Sequence, residues 1–259
     1  MLRFLLGLAL AGIIAAAARR LRSLTADGAV AATLIGGAAV SAGWGWGALL
    51  VAYFVASTLL SRTGRAEKEA RTASVVEKGG ERDAVQVLAN GALFAGAAVA
   101  MHWLPSARWL ALGAGSLAAS TADTWATEIG TLVGGTPRSI LTWKRVAPGV
   151  SGAVSPIGTF ASVSGAAFIA LCALACGWPV SVARVVFVGG IAGSLFDSLL
   201  GATCQARRWC AACATETERG VHHCGTVTAP HRGLGWIDND VVNFLSNACG
   251  GLLAALLIR

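Results

Sequence analysis

The chain has 259 residues, of which 55% are hydrophobic and only 13% are charged. This composition excludes an ordinary soluble domain, in which about a quarter of the residues are charged, and predicts an all-α, polytopic integral membrane protein. The formal net charge of +7 is spread over separate segments. It therefore argues against a nucleic acid partner and fits basic loops that orient the chain and meet anionic lipid.

Apolar segments long enough to cross a bilayer, which takes about 20 residues, recur along the whole chain. Eight spans are predicted near 2–18, 28–43, 46–61, 84–104, 109–134, 153–176, 180–203 and 241–258. We expect a single transmembrane domain over 1–259, with larger loops near 62–83, 135–152 and 204–240. Even the longest of these loops is too short to hold a core of its own.

The distribution of positive charge predicts the orientation of the spans. Alternate loops place sixteen lysines and arginines on one side and four on the other. Positive loops are cytoplasmic, so we expect the three larger loops inside, both termini outside, and the inner membrane of a bacterium as the location. Span 1 is an anchor in this scheme, because cleaving it as a signal peptide would invert every later loop.

The first cytoplasmic loop and the span after it carry the first candidate ligands. The loop is dense in charges of both signs, which is typical of a solvated helix, and Lys78 and Arg82 near its end could bring basic groups to a site at the inner face. Gln86 and Asn90 lie one turn apart at the start of span 4. They are candidates either for hydrogen bonds between helices or for ligand binding.

Acidic residues in apolar segments are the strongest functional signal. Asp123 and Glu128 lie in span 5, Asp197 lies in span 7, and Asp240 stands just before span 8. Acids within a membrane are costly, so they usually face a cavity and a partner, and the predicted topology places all four near one membrane face. Asp123 and Glu128 are about 140° apart on an ideal helix, so either the helix breaks or they have different partners. Asp240, and Asp238 beside it, could alternatively cap the last helix.

The loop at 137–159 combines cations with glycines and hydroxyls before span 6. Backbone N–H groups at a helix N-terminus attract anions, and Lys or Arg completes a phosphate site. The loop lacks Walker A spacing, and a plain re-entrant turn is the alternative. Beside carboxylates that hold Mg²⁺, a phosphate site would suit phosphoryl transfer. The candidate phosphate ligands here are Lys144, Arg145, Ser151, Gly152, Ser155, Gly158 and Thr159.

The last cytoplasmic loop contains a cysteine and histidine pattern with zinc-ligand spacing. Cys210 and Cys213 form a Cys-x-x-Cys pair, and His222, His223 and Cys224 follow. A structural disulfide is not expected in the reducing cytoplasm. We therefore expect either one structural zinc ion, bound by the three cysteines and one of the two histidines, or free thiols in a packed loop.

Five segments of the chain resemble one membrane family, in the same order and over nearly the whole length. That family contains transmembrane protein 19 and the plant phytyl-phosphate kinase of tocopherol synthesis. The segments are Lys78-Gly-Gly-Glu-Arg-Asp-Ala-Val-Gln-Val-Leu-Ala-Asn-Gly91, Ala122-Asp-Thr-Trp-Ala-Thr-Glu-Ile-Gly130, Val150-Ser-Gly-Ala-Val-Ser-Pro-Ile-Gly-Thr159, Gly193-Ser-Leu-Phe-Asp-Ser-Leu-Leu-Gly-Ala202 and Asn239-Asp-Val-Val-Asn-Phe244.

The resemblance implies a membrane enzyme that transfers a phosphoryl group from a nucleoside triphosphate to an isoprenoid alcohol or monophosphate. Related phytol and dolichol kinases use CTP, so CTP is the expected donor, with ATP as the alternative. In this scheme Asp123, Asp197 and Asp240, with Glu128, hold Mg²⁺ at the cytoplasmic face. The phosphates would be held by the 149–159 loop and by Lys78, Arg82, Asn90, Lys144, Arg145, Asn239 and Asn243.

Two other classes of function use the same features differently. A proton- or ion-coupled transporter would use the buried acids as a relay, with inverted repeats around a site at the membrane midplane. No internal repeat is evident in the sequence, and the acids cluster toward one face. A non-catalytic lipid-binding protein is the third alternative.

Overall fold

A computed structural model describes residues 2–77 and 79–258, so that Lys78 lies outside the described residues. The helices in the described part are α1 (Leu2–Arg20), α2 (Ala26–Ala42), α3 (Trp44–Arg62), α4 (Arg65–Thr72), α5 (Ala84–Trp103), α6 (Ala107–Val133), α7 (Pro156–Ala175), α8 (Val180–Thr203) and α9 (Asn239–Leu257). The strands are β1 (Arg138–Ser139), β2 (Ala153–Val154), β3 (Arg207–Cys210), β4 (Thr215–Thr217) and β5 (Ala229–Arg232).

Six of the described helices, α1, α3, α5, α7, α8 and α9, are long and apolar enough to cross a membrane. Helix α2 is apolar but has only 17 residues. Helix α6 has 27 residues but carries Asp123 and Glu128, and it is not among the six. These eight helices follow the predicted spans in order, with limits that differ by a few residues. The α-helical membrane class is confirmed, and the count of eight spans stays a prediction.

Side-chain caps fix where several helices begin. Asp83 accepts a hydrogen bond from the N–H of Gln86 (2.9 Å), and the Gln86 side chain accepts one from the N–H of Asp83 (3.2 Å), which forms a capping box for α5. Ser155 caps α7, and Asp238 caps α9. Each cap satisfies an N–H group that has no partner within its own helix, and so the helix begins there.

Helix α6 lies at the centre of the bundle. Nearly every residue from 111 to 122 is buried, and the helix contacts α7, α8 and α9. A Cβ added at Gly193 would lie 2.4 Å from Cβ of Ala119, and one added at Gly250 would lie 2.7 Å from the carbonyl oxygen of Gly189. Small residues let helix backbones approach closely in lipid. The acidic ends of α6, α8 and α9 therefore lie beside one another.

The polar segments between the helices form two small sheets. Strands β1 and β2 pair antiparallel between α6 and α7, and the order β4-β3-β5 forms an antiparallel sheet between α8 and α9. The second sheet docks on the segment after α4, where the N–H of Glu218 (2.9 Å) and Oγ1 of Thr217 (3.2 Å) both donate to the carbonyl oxygen of Val75. A loop that was expected to lack its own core is ordered by this docking.

Candidate functional site

A cavity of about 1200 Å³ opens at the end of the bundle where α3, α6 and α8 end and α5, α7 and α9 begin. All three larger loops contribute to its lining. The four acids singled out in the sequence, Asp123, Glu128, Asp197 and Asp240, line it together. It is the place in the described structure where these four acids meet.

Asp123 on α6 and Asp197 on α8 both line the cavity, and the two helices pack against each other. The two carboxylates are close enough to repel each other when both are charged. Oγ of Ser246, on α9, donates a hydrogen bond of 3.0 Å to Oδ2 of Asp197. Two carboxylates held together in this way are a suitable place for a cation.

Asp240 lies in the first turn of α9 and is 3% exposed. The sequence left open whether Asp240 or Asp238 caps this helix. Oδ1 of Asp238 accepts the N–H of Val241 (3.0 Å), so Asp238 is the cap. Asp240 thus lines the cavity without serving as the N-cap.

The three aspartates offer hard oxygen ligands of the kind that Mg²⁺ prefers. Within residues 2–77 and 79–258 they do not form a group of three whose ligand atoms all lie within a few ångströms of one another. Mg²⁺ usually binds one or two carboxylates and completes its shell with water and substrate phosphates. The arrangement therefore fits an ion shared with a substrate better than one enclosed by all three side chains.

Glu128 has a different partner from Asp123. Helix α6 continues unbroken through both residues, and Glu128 forms an ion pair with Lys68 of α4. Oγ of Ser61 donates to Oε1 of Glu128 (2.5 Å), and Nζ of Lys68 also donates to the carbonyl oxygen of Leu60 (2.7 Å). The Glu128 carboxylate thus compensates a lysine side chain that is only 9% exposed, and its part in the metal site stays a prediction.

Gln86 and Asn90 serve the packing of helices. Gln86 belongs to the capping box of α5. Oδ1 of Asn90 accepts hydrogen bonds from Ser120 of α6 (2.7 Å) and Asn247 of α9 (3.2 Å). Tyr53 of α3 completes the network with a hydrogen bond of 2.9 Å to Ser120. Asn90 lines the cavity, but its amide oxygen is engaged in this network, and its amide nitrogen, the group that could donate to a phosphate, donates to the carbonyl oxygen of Gln86 (2.9 Å).

The predicted phosphate loop lines the cavity, and much of it is engaged in packing. A Cβ added at Gly152 would lie 2.7 Å from the backbone nitrogen of Ala202, so this glycine lets the loop rest on the end of α8. Oγ of Ser155 accepts the N–H of Gly158 (3.1 Å) as the cap of α7. Thr159 also lines the cavity, which places the N-terminal turn of α7 at its wall.

Two predicted phosphate ligands lie elsewhere. Lys144 and Arg145 are exposed and do not line the cavity, because they lie in the exposed tip of the β1–β2 loop. The remaining candidates, Arg82, Asn239 and Asn243, do line it. The other arginine and lysine side chains that the structure brings to the lining are Arg22, Arg62, Arg65, Lys68, Arg71, Arg207, Arg208 and Arg232.

Glu218 and Arg207 are cavity residues that sequence reasoning missed. Glu218 accepts hydrogen bonds from Gln205 (2.8 Å) and from Ser151, while Arg207 donates to the backbone oxygens of Ser151 and Gly201. Burial raises the pKa of the Glu218 carboxyl, although the hydrogen bond from Ser151 and the charge of Arg207 oppose the shift. Both residues come from a polar loop, where a charge is no signal by itself, so only the fold reveals them.

The predicted zinc ligands lie together outside the cavity. The ligand atoms of Cys210, Cys213, His222 and Cys224 all lie within 4.8 Å of one another. His223 is not in this group, and its ring packs on His222 with a centroid distance of 4.1 Å. Hydrogen bonds with Thr226 and His222 lower the pKa of the Cys224 thiol to about 5, while the hydrogen bond with Cys224 raises the pKa of Cys213 to about 11.

The fold and the cavity define an α-helical integral membrane protein with a polar, acid-lined site at one end of its bundle. The family model of integral membrane protein DUF92 matches residues 9–251, and the chain belongs to this family.

Curated relatives match over most of the chain. Protein PGR of Arabidopsis thaliana is 28% identical over 94% of this chain and 92% of its own length. A membrane protein of Methanocaldococcus jannaschii is 27% identical over 99% of this chain and 95% of its own. Protein VTE6, chloroplastic, of Arabidopsis thaliana is 30% identical over 90% of this chain and 65% of its own. No solved structure matches the chain.

Proposed function

We propose that this protein is a membrane-embedded kinase that transfers the terminal phosphoryl group of a nucleoside triphosphate to an isoprenoid monophosphate, forming the diphosphate. The resemblance to the family of the plant phytyl-phosphate kinase and the 30% identity to Protein VTE6 support an isoprenoid acceptor. The resemblance also favours CTP as the donor. The positive charge of the larger loops supports a cytoplasmic site.

One observation carries the proposal. A single cavity holds carboxylates from α6, α8 and α9 together with basic side chains from the loops. Carboxylates that bind a divalent cation, next to cations that bind phosphate, are the two parts that phosphoryl transfer requires. The cavity volume of about 1200 Å³ exceeds the usual range for one small ligand, so a nucleotide and an isoprenoid headgroup can share it.

Each group in the cavity has a role in this scheme. Asp123, Asp197 and Asp240 are the residues that would hold Mg²⁺, which when bound neutralises charge on the transferring phosphate. Arg82 reaches the cavity as a phosphate ligand, and the first turns of α7 and α9 add the positive ends of their helix dipoles. The acceptor phosphate is already ionised, so the chain needs no general base.

The hydrophobic part of the substrate would lie between α7 and α8. Val163 of α7 and Ile191 and Leu195 of α8 line the same cavity as the acids. Val163 is 36% exposed and Leu195 is 48% exposed. An isoprenoid tail that leaves the cavity along these side chains enters lipid, while its phosphate stays with the acids and arginines.

The transporter alternative has less support. A transporter of this kind carries its site near the membrane midplane, between repeats that move against each other. Here the acids share a cavity with three polar loops at one end of the helices. That position favours an enzyme which meets a soluble nucleotide.

The test is a transfer assay with the purified full chain in detergent. Geranylgeranyl or phytyl monophosphate is supplied with Mg²⁺ and either CTP or ATP, and the isoprenoid diphosphate is measured by mass spectrometry. We expect diphosphate to form in equal amount to the nucleoside diphosphate released. Folded protein that forms no product with any isoprenoid acceptor would overturn the proposal. Uptake of protons or other ions into liposomes that depends on the acidic residues would then favour a transporter. Lipid binding without turnover would favour a non-catalytic protein.

A further inference from the structure

The second cluster of chemically active side chains lies in the sheet between α8 and α9, and the proposed kinase site does not use it. Cys210 ends β3 and Cys213 lies in the turn before β4. His222 and Cys224 lie in a second tight turn, which two hydrogen bonds close. The N–H of His222 donates to the carbonyl oxygen of Thr226 (2.9 Å), and the N–H of Gly225 donates to the carbonyl oxygen of His222 (2.8 Å). None of the four ligand residues lines the cavity.

The distances within this cluster are those of a metal site. Sγ of Cys210 and Sγ of Cys224 are 3.7 Å apart. A tetrahedral ion with Zn–S bonds of about 2.3 Å separates two sulfur ligands by about 3.8 Å. A disulfide would need about 2.05 Å. Nδ1 of His222 lies 3.2 Å from Sγ of Cys224, on the side of the sulfurs, and the histidine is 2% exposed.

We propose that Cys210, Cys213, His222 and Cys224 bind one structural zinc ion. Three sulfurs and one imidazole nitrogen are a usual zinc donor set. With four protein ligands the site has no open position for water or substrate, so the ion is structural rather than catalytic. The two turns that supply the ligands have little apolar core, and the ion supplies the cross-link that such a loop otherwise lacks.

The zinc site would hold one side of the kinase cavity in place. The hairpin of β3 and β4, which the metal would tie to the turn at 222–224, carries Arg207 and leads directly into Glu218. Arg207 reaches the backbone of Ser151 and Gly201, and Glu218 reaches Ser151. Loss of zinc should therefore loosen the loop and its contacts at the cavity, while the helices that are packed in lipid remain folded. The zinc proposal itself does not depend on the chemistry assigned to that cavity.

The experiment measures metal content of the full chain, purified with zinc present and without chelator. The wild type should contain about one zinc ion per chain by elemental analysis. The adjacent histidines supply a matched pair of variants: His222→Ala should lose most of the zinc and His223→Ala should keep it. Cys213→Ser should lose it too, whereas Cys204→Ser, in the same loop but outside the cluster, should not.

A second measurement covers variants that fail to fold. Wild-type protein should release zinc to a thiol reagent or a strong chelator, and limited proteolysis within 204–238 should then become at least about tenfold faster, because a coreless loop has lost its cross-link. Wild type with less than about a tenth of an equivalent of zinc would overturn the proposal. So would zinc content equally reduced in both histidine variants, or Cys210 and Cys224 that resist alkylation until a reductant is added.

Discussion

The ion pair between Lys68 and Glu128 gives a sharp test of how the cavity is built. The Lys68 side chain is 9% exposed and the Glu128 side chain 21% exposed, and Lys68 also donates to the backbone oxygens of Leu60 (2.7 Å) and Ser61 (3.1 Å). Removing one partner of a buried pair costs about 3–5 kcal/mol, because the other charge is left uncompensated. Glu128 keeps some contact with water, so we expect Lys68→Met to cost about 2 kcal/mol, or about 30-fold in the unfolding equilibrium.

The assay is a double-mutant cycle with Lys68→Met, Glu128→Gln and the double variant. Unfolding by SDS in mixed micelles, followed by circular dichroism, gives the free energy of each. The double variant should be less destabilised than the sum of the two single changes, with a coupling of about 1–2 kcal/mol. The matched control is the pair of Arg65 and Glu69 on the same helix, whose side chains are 48% and 55% exposed. Arg65→Met should cost under about 0.5 kcal/mol.

Two results would refute this reasoning. The first is a Lys68→Met variant that is no less stable than the Arg65→Met control. The second is a pair of single changes whose effects simply add, since additivity means that the two charges do not interact. If Glu128→Gln instead abolished phosphoryl transfer without a change in stability, Glu128 would be a metal ligand, as the sequence first indicated.

Three further predictions concern the loops and the lipid path. Burial raises the folded-state pKa of Glu218 above its unfolded value of 4.5, so stability from this group is greatest below pH 4.5 and falls as pH rises through the folded pKa. In melting curves measured over this pH range, the Glu218→Gln variant should not show the loss of stability that the wild type shows. Parallel pH profiles of melting temperature for the two proteins would contradict this prediction. Leu195→Trp narrows the proposed path of the isoprenoid tail between α7 and α8. It should raise KM for the isoprenoid phosphate at least about threefold and leave KM for the nucleotide unchanged. Equal increases in the two KM values would contradict this path. Cysteines introduced at positions 70, 140 and 215 should all be labelled from the cytoplasmic side. If one of them were labelled from outside, the three loops could not share one cytoplasmic site.

The helices and the acids could be predicted because membranes make local sequence informative. A long run of apolar residues in lipid forms a helix, because its backbone groups must bond to one another, and an acid within such a run is easily recognised. Asp123 and Asp197 were found in this way, and Asp240 by its position just before the last span. The partner of Glu128 could not be found, because Lys68 is one charge among many in a polar loop and only the docking of α4 on α6 brings the two together.

The ligands of the cysteine cluster could also be predicted only in part from the sequence. The spacing of Cys210, Cys213 and Cys224 indicates a metal site, but spacing cannot choose between two adjacent histidines. Only the fold of the turn decides, because it brings Nδ1 of His222 to 3.2 Å from Sγ of Cys224 and leaves His223 outside the ligand group. The short strands were missed as well, since strands of two to four residues leave no periodic pattern, and their exposed turn carries Lys144 and Arg145 away from the cavity.

The most direct test of the central claim is turnover by Asp123→Asn and Asp197→Asn beside Asp238→Asn. Asn keeps the shape of each side chain and removes the charge that would hold Mg²⁺. The first two variants should lose at least about 100-fold in phosphoryl transfer, and Mg²⁺ should raise their melting temperature less than that of the wild type. Asp238→Asn should keep wild-type turnover, because Asn caps a helix as well as Asp does. Wild-type transfer by both Asp123→Asn and Asp197→Asn would contradict the account.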